Sequence, residues 1–403
     1  MSEVTLTLGQ RKNPSAMSGD RSIVLRRAGF ILLVAAVAIA AAMGEWTEFW
    51  SAWLTNWLFA ISIGLGALLF VLIQHITKAG WSVVVRRVAE VQAVTMGPLA
   101  LFAAPFLIAL LLGSHSLFEW NDHHHMKEDE ILAGKSVWLN APFFAARTVV
   151  YLAIWFWIGR RCMTVSTASD SASGIGLQSL RSRSGPYLIV LGLTITLASF
   201  DWIMSLDPHW FSSILGVYLF ASAITGGLAV LTLTALALRR RGSLPEFSIE
   251  HQHDLGKLLF GFNCFWAYIA FSQYLLIWYA NIPEETSWFA DRQAGHWSII
   301  SGVLIVVHFV APFFGLMSRH AKRNTASLVF WSSLIVLACW LDFYWLIVPT
   351  VRGLDAVPGL LDLLTFAGFV AVGMSAFVST AGSYNLVPRN DPLLAESLSF
   401  HNT

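Results

Sequence analysis

The sequence predicts an all-α polytopic membrane protein of about ten transmembrane helices, with both termini on the cytoplasmic side. Three observations carry this. First, hydrophobic residues make up 56% of the 403 positions, and Asp, Glu, Lys and Arg only 12%, about half the charged share of a soluble domain. A soluble globule of this size could not cover so much apolar surface with so few charges. Second, ten apolar runs have the roughly 17–25 residues that one helical crossing needs. Backbone in lipid must satisfy its own hydrogen bonds, and a helix does so within one segment. Third, when the 25 basic residues are sorted onto alternate sides, 20 fall with the termini and five opposite them, as the positive-inside rule requires.

The elements follow in order. Residues 1–26 form a basic arm (Arg11, Lys12, Arg21, Arg26, Arg27) with no sign of a cleavable signal. Residues 27–384 are the transmembrane domain, with spans at about 27–44, 53–76, 94–113, 141–158, 186–205, 210–238, 256–281, 296–318, 325–349 and 361–384. Residues 385–403 are a cytoplasmic tail. The amphipathic segment Thr77–Glu90 is expected to lie along the inner interface before the third span, and the Ser- and Gly-rich stretch 163–185 to be a mobile loop. Spans five and six join through a tight turn in which Asp207 caps the sixth helix and Pro208 takes its first position. Many of the 18 Trp residues fall near span ends, as in an aromatic interface belt. No internal repeat stands out. There is no Walker loop or dinucleotide fingerprint, which argues against an ATPase or a nucleotide-dependent dehydrogenase. Nothing points to nucleic acid.

Ionisable groups inside a bilayer are costly, which makes them functional candidates. Toward the outer side these are Arg147 in the fourth span, Asp201 in the fifth and Asp342 in the ninth. A lone carboxylate there would suffer heavy desolvation, so Arg147 is expected to pair with Asp201 or Asp342. The pair is either an inert brace or a site for proton release or a quinol headgroup. Toward the inner side are His75, Glu90, Gln92 and, opening the seventh span, His253, Asp254 and Lys257. Asp254 and His253 stand three and four residues before Lys257, on one helix face. This group either gathers protons or caps the helix with a snorkelling lysine. Between the two groups lie His308 and the polar positions Asn263, Tyr268, Ser272 and Gln273. Tyr268 and Ser272 share a face, and His308 either relays protons or is a satisfied core residue. His123-His124-His125 on the outer loop have poor geometry for a metal. His308 and His75 lie at different depths, which does not suit an intramembrane haem pair. The three cysteines are widely spaced and suggest neither a disulfide framework nor a metal.

Three segments carry a family resemblance: LASFDWIMSLDPHWFSSILGVYLF (197–220), HDLGKLLFGFNCFWAYIAFSQYLLIWYANIPEET (253–286) and KSVWLNAPFFAAR (135–147). Together with the helix count, they resemble the F-type membrane subunit of alternative complex III, a bacterial quinol:cytochrome c oxidoreductase, over nearly the whole chain. That family is similar to the NrfD/polysulfide-reductase membrane subunits. The resemblance implies paired four-helix bundles with extra helices, in the cytoplasmic membrane of a bacterium. It implies as partners a multihaem cytochrome c subunit, an iron–sulfur subunit, a paralogous NrfD-like quinol-oxidising subunit and further membrane subunits. It further implies that haem and iron–sulfur clusters sit on those partners, with menaquinone or another quinone as the one cofactor that could touch this chain. By resemblance the positions that matter are Asp201, Lys257, Asp254, His253 and Arg147. Where the quinol-oxidising sister carries an acidic residue, this chain has Ser272-Gln273, which argues against a quinol site here. The expected role is therefore proton transfer through half-channels and scaffolding, with no catalytic centre of its own. The alternatives are a direct quinol-binding subunit and, from another class, a secondary transporter. Pro98, Pro105 and Pro312 do not form the matched pair of interrupted helices that transporters often show.

Overall fold

The computed structural model describes residues 15–122, 126, 128–171 and 175–401. Among the described residues, ten helices are long and apolar enough to cross a membrane. They are α1 (Ser15–Met43), α2 (Trp46–Ile76), α3 (Gly80–Leu111, with short 3₁₀ turns), α4 (Ala141–Ala168), α5 (Ile175–Trp202), α6 (Leu215–Arg240), α7 (Ile249–Ala280), α8 (Trp297–Met317), α9 (Thr325–Arg352) and α10 (Leu360–Ser383). No strand occurs among the described residues. The chain is an all-α, multi-pass membrane protein. The end of the bundle at which α2 finishes and α3 begins is called here the basic end; the other is the far end.

Helices α2–α5 close into one four-helix bundle and α6–α9 into a second, while α1 and α10 pair along the outside of α2. The bundles meet where α2 crosses α6. These two helices are the most enclosed, with 83% and 78% of their apolar stretches buried, against 22% in α1 and α8. In lipid no hydrophobic force pulls helices together, so close contact depends on small residues that let backbones touch. Gly66 on α2 faces Ala223 and Gly227 on α6, one helical turn apart. A Cβ at Gly66 would stand 1.9 Å from the Ala223 carbonyl oxygen, and one at Gly227 would stand 2.7 Å from the Gly66 Cα. Gln92 of α3 ties the crossing together by donating from Nε2 to the carbonyls of Gly227 (3.0 Å) and Ile63 (3.2 Å).

At the far end, Arg292 shows how a helix break is repaired. Pro349 inside α9 has no N–H for the Trp345 carbonyl four residues back. Arg292 is 1% exposed and donates to that carbonyl (3.1 Å), to those of Leu346 and Trp288 (both 2.9 Å) and to Thr350 Oγ1 (3.0 Å), while stacking 3.3 Å from the Trp288 ring. A cation at a helix C-terminus also meets the negative end of its dipole. Asn56, Asp362, Thr365 and Trp340 bind α2, α9 and α10 at the same end.

Three local expectations are corrected. The segment after Thr77 does not lie along the interface: Gly80–Val94 is the first half of α3, and every residue of its Val83–Val94 stretch is buried between neighbouring helices. Its charges misled the reading, because Arg86, Arg87 and Glu90 find partners inside. Most of the stretch 163–185 is helical rather than loop, since α4 runs to Ala168 and α5 starts at Ile175, both past the apolar runs. Asp207 caps the turn rather than α6: its Oδ1 accepts the N–H groups of His209 and Trp210. The helix starts only at Leu215, and the Pro208 carbonyl accepts Lys135 Nζ.

Replacing Gly66 with Ala is expected to lower stability by about 2–3 kcal/mol, because the backbone of α6 cannot yield without opening the seam. Gly192→Ala and Gly302→Ala, where a Cβ would meet nothing within 4 Å, should change it little. Thermal unfolding in detergent separates the three; equal melting points would refute the crossing as a packing constraint.

Candidate functional site

Three groups of buried polar and charged side chains are candidates for function. At the far end, Asn140 caps α4 by accepting the Phe143 N–H (3.0 Å), which places Arg147 two turns inside. Its guanidinium grips Asp201 of α5 with two bonds, Nε to Oδ2 (2.8 Å) and Nη2 to Oδ1 (2.7 Å). Trp138 Nε1 donates to Oδ1 (2.9 Å) and the Tyr151 hydroxyl to Oδ2 (3.0 Å). The third guanidinium nitrogen donates to the Trp138 carbonyl (3.0 Å), and the cation lies over the rings of Trp138 and Phe143. Each carboxylate oxygen thus accepts two bonds, which fills its capacity. The expected pairing of Arg147 with Asp201 forms, and its geometry is that of a brace between α4 and α5.

Asp342 stands apart from that pair. It is 0% exposed, about 15 Å along α9 from Arg352 at 1.5 Å per residue. Its partners are all neutral donors: the Tyr218 hydroxyl, Ser222 Oγ (2.8 Å) and Trp266 Nε1 (3.0 Å). No basic side chain lies within ion-pair distance of it among the described residues. Tyr218 and Ser222 are one turn apart on α6, so one helix face supplies two of the three bonds. Trp266 also stacks on His308, with ring centroids 3.5 Å apart. His308 is 0% exposed and sits in a π-helical turn, Ile305–Val310, of α8. Such turns are rare and occur often at functional sites. Its Nε2 lies 3.6 Å from Cys339 Sγ, one turn before Asp342, and its Nδ1 has no partner. Trp266 therefore joins the carboxyl and the imidazole.

Toward the basic end, Glu90 of α3 is held between Arg87 (Nε to Oε2, 3.3 Å), Arg86 (3.9 Å) and His75 of α2 (4.0 Å). None of these contacts is a hydrogen bond. Both Glu90 oxygens, both His75 ring nitrogens and Arg86 Nε are buried without a hydrogen-bonding partner. The remaining arms of the arginines are fixed: Arg86 by Asp391, and Arg87 by Asp170 in two bonds, by Ser166 and by the Asn385 carbonyl. The segment after Asn385 thus closes over this end, with Ser397 bonded to the Val84 N–H and the Trp81 carbonyl.

His75 is not gathered with His253, Asp254 and Lys257 as the sequence grouping implied. Those three sit on α7, which starts at Ile249 behind its Ser248 cap; there Asp254 pairs with Lys257. The middle group also changes. Tyr268 is 64% exposed, on the outer face of α7, and Ser272 is half-buried beside it. Sharing a face was right, but that face points away from the bundle. The inward positions of α7 are Asn263, Trp266 and Gln273; Asn263 Oδ1 and Gln273 Nε2 have no partner. Trp266, Tyr218 and Ser222 are the residues that sequence reasoning missed. The available signal was the spacing of Tyr218 and Ser222, facing a carboxylate across the bundle. Among the described residues no three His, Cys, Asp or Glu side chains form a metal site; His123-His124-His125 lie outside the described residues.

Arg147→Met is expected to cost about 3–5 kcal/mol, the penalty for stranding a buried carboxylate, whereas Arg147→Met with Asp201→Leu should recover a substantial part of that loss. Unfolding midpoints of the two single variants and the double variant give the coupling; strictly additive losses would rule out the brace.

Set against known proteins, the chain matches no family model and no curated protein sequence.

Proposed function

We propose that this chain is a proton-conducting and scaffolding membrane subunit of a quinol:cytochrome c oxidoreductase of the alternative complex III type. Its partners in this reading are a multihaem cytochrome, an iron–sulfur protein and a paralogous quinol-oxidising subunit, in a bacterial cytoplasmic membrane with both termini inside. The resemblance in residues 135–147, 197–220 and 253–286 supports the family. The observation that carries the role is Asp342: a fully buried carboxyl with three neutral donors, no cation, and an imidazole joined to it through Trp266.

A proton carrier must be able to exist with and without its proton. Asp201 lacks this freedom, since a guanidinium and two further donors occupy both oxygens. Asp342 has it, because the Tyr218 and Ser222 hydroxyls can turn from donating to the carboxylate to accepting from the acid. Glu90 and His75, buried and with unpartnered atoms, form the matching group near the basic end. Gln92 Oε1, also unpartnered, lies between Glu90 and the α2–α6 crossing. The polar groups thus extend from the basic end through the seam toward Asp342.

A quinone headgroup does not fit the Arg147–Asp201 pair. Its carboxylate has no acceptor capacity left, and the guanidinium is engaged on all three nitrogens. Two cavities lie at the far-end loops. One, of about 250 Å³, is lined by Thr47, His115, Glu119 and Asp122 among others. In this reading quinone chemistry belongs to the partner subunit.

The test is a tagged purification in mild detergent, read by haem absorbance and mass spectrometry, followed by quinol:cytochrome c turnover. Co-purification of the haem, iron–sulfur and sister subunits supports the reading; a haem-free chain alone overturns it. Within the complex, Asp342→Asn preserves shape and two hydrogen-bonding atoms but cannot take up a proton. It is expected to melt within about 1.5 kcal/mol of wild type and to lose roughly tenfold or more of proton-coupled turnover. Undiminished turnover would remove Asp342 from the path.

A further inference from the structure

Glu90 is flanked by two arginines, yet neither of its oxygens accepts a hydrogen bond. The reason differs for the two cations. Arg87 has spent its five N–H donors: on Asp170 twice, on the hydroxyl and the carbonyl of Ser166, and on the Asn385 carbonyl. Arg86 has not. Its Nε lies 3.9 Å from Glu90 Oε1, one helical turn along α3, and both atoms are buried without a hydrogen-bonding partner. Opposite charges at this spacing pair readily on a helix, and a hydrogen bond would need them only about 1 Å closer.

Arg86 is turned instead toward the segment after α10, where its Nη2 donates to Asp391 Oδ2. That carboxylate is aimed by its own backbone: Oδ1 accepts the Leu393 N–H (2.9 Å), and the Asp391 carbonyl accepts the Leu394 N–H (3.0 Å). The short helix Leu394–Leu398 then anchors the turn against the start of α3. Ser397 Oγ donates to the Trp81 carbonyl (2.7 Å) and accepts the Val84 N–H (3.4 Å). Gly80 leaves room for Glu396, whose carboxyl carbon would stand 2.2 Å from a Cβ there. On the other side, Arg389 N–H and Asn390 Nδ2 donate to Asp170, the residue that grips Arg87. The segment thus orients both arginines beside Glu90.

We propose that Asp391 is a positioning residue for Glu90: it draws the Arg86 guanidinium aside and so keeps the Glu90 carboxyl unsaturated. Without Asp391, Arg86 turns about its side-chain bonds and closes on Glu90, which becomes a brace like Asp201. The Arg147–Asp201 pair shows that end state, with both carboxylate oxygens filled. The consequence for turnover rests on the proton-transfer reading above; the positioning itself does not.

Two measurements test this. The first is thermal unfolding of the full chain in detergent for wild type, Asp391→Ala, Glu90→Gln and the double variant. Asp391→Ala should lower the midpoint only slightly, because Arg86 finds Glu90 as a substitute. The double variant should lose clearly more than the sum of the single losses, since Arg86 is then buried with no anion. A double variant that fails to fold while both singles fold is the extreme form of the same result. Additive losses, or failure of Asp391→Ala alone to fold, would overturn the proposal. The second is quinol:cytochrome c turnover in the purified complex. Asp391→Ala should lose roughly tenfold, and adding Arg86→Met should restore most of it, because nothing remains to saturate Glu90. A double variant no more active than an impaired Asp391→Ala would reduce the segment to a structural cap and overturn the proposal. Non-additive unfolding with undiminished turnover in Asp391→Ala would uphold the positioning and sink the proton-transfer role of Glu90 instead.

Discussion

Gly66 and Gly227 let the backbones of α2 and α6 touch, and the rest of the architecture is arranged around that contact. In water, burial of apolar surface would hold two helices together at many separations. In lipid the gain comes from close packing and from polar groups that find each other, so the distance between backbones matters more. The crossing makes α2 and α6 the shared wall of both bundles. Gln92 reaches the carbonyls on either side of it only because they are so near. Tyr218 and Ser222 stand on α6 beyond the crossing, so the cage around Asp342 is positioned from the same seam. Gly226, beside Gly227, keeps α6 close to Cys339, the residue one turn before that carboxyl.

The buried ionisable residues fall into two kinds, distinguished by how completely their hydrogen bonds are met. Arg147 with Asp201, Arg352 with Asp362 (2.7 and 2.9 Å) and Arg87 with Asp170 are bidentate pairs with further donors or acceptors around them. Removing either partner would strand a charge, which fixes helices relative to one another. Arg292 belongs with them although it lacks a carboxylate, since the carbonyls of α9 take that part. Asp342 with His308, and Glu90 with His75, are of the other kind. They are equally enclosed, yet retain unpartnered atoms or have only neutral donors. A polar network left partly open in a low-dielectric interior is expensive. That cost is the ground on which the proposed proton transfer is assigned to these two groups rather than to the stronger pairs.

Much of the fold was legible in the sequence. Hydropathy located ten crossings because the cost of exposing backbone or charge to lipid acts on each segment independently of its neighbours. Boundaries were less legible where charge and apolar content disagree. Glu90 and Arg86 made the start of α3 look like surface, and Arg160, Arg161 and Arg181 cut short α4 and α5, because hydropathy counts a charge without seeing its partner. Burial cost singled out Arg147, Asp201, Asp342 and His308, and the structure encloses all four. It did not reveal that Arg147 would choose Asp201 over Asp342, that Tyr268 faces outward, or that Trp266 links His308 to Asp342.

What the sequence determined by itself is therefore the class of the protein, the number of crossings and the short set of groups too costly to bury without reason. These depend on transfer from water to lipid, a property of each residue and its near neighbours along the chain. The tertiary structure alone decided which of those groups are saturated and which are left open. Hydrogen bonds between Asp342 and Tyr218, or between Arg147 and Asp201, join positions 124 and 54 residues apart. They form only once packing at Gly66 and Gly227 has set the rotation and depth of each helix.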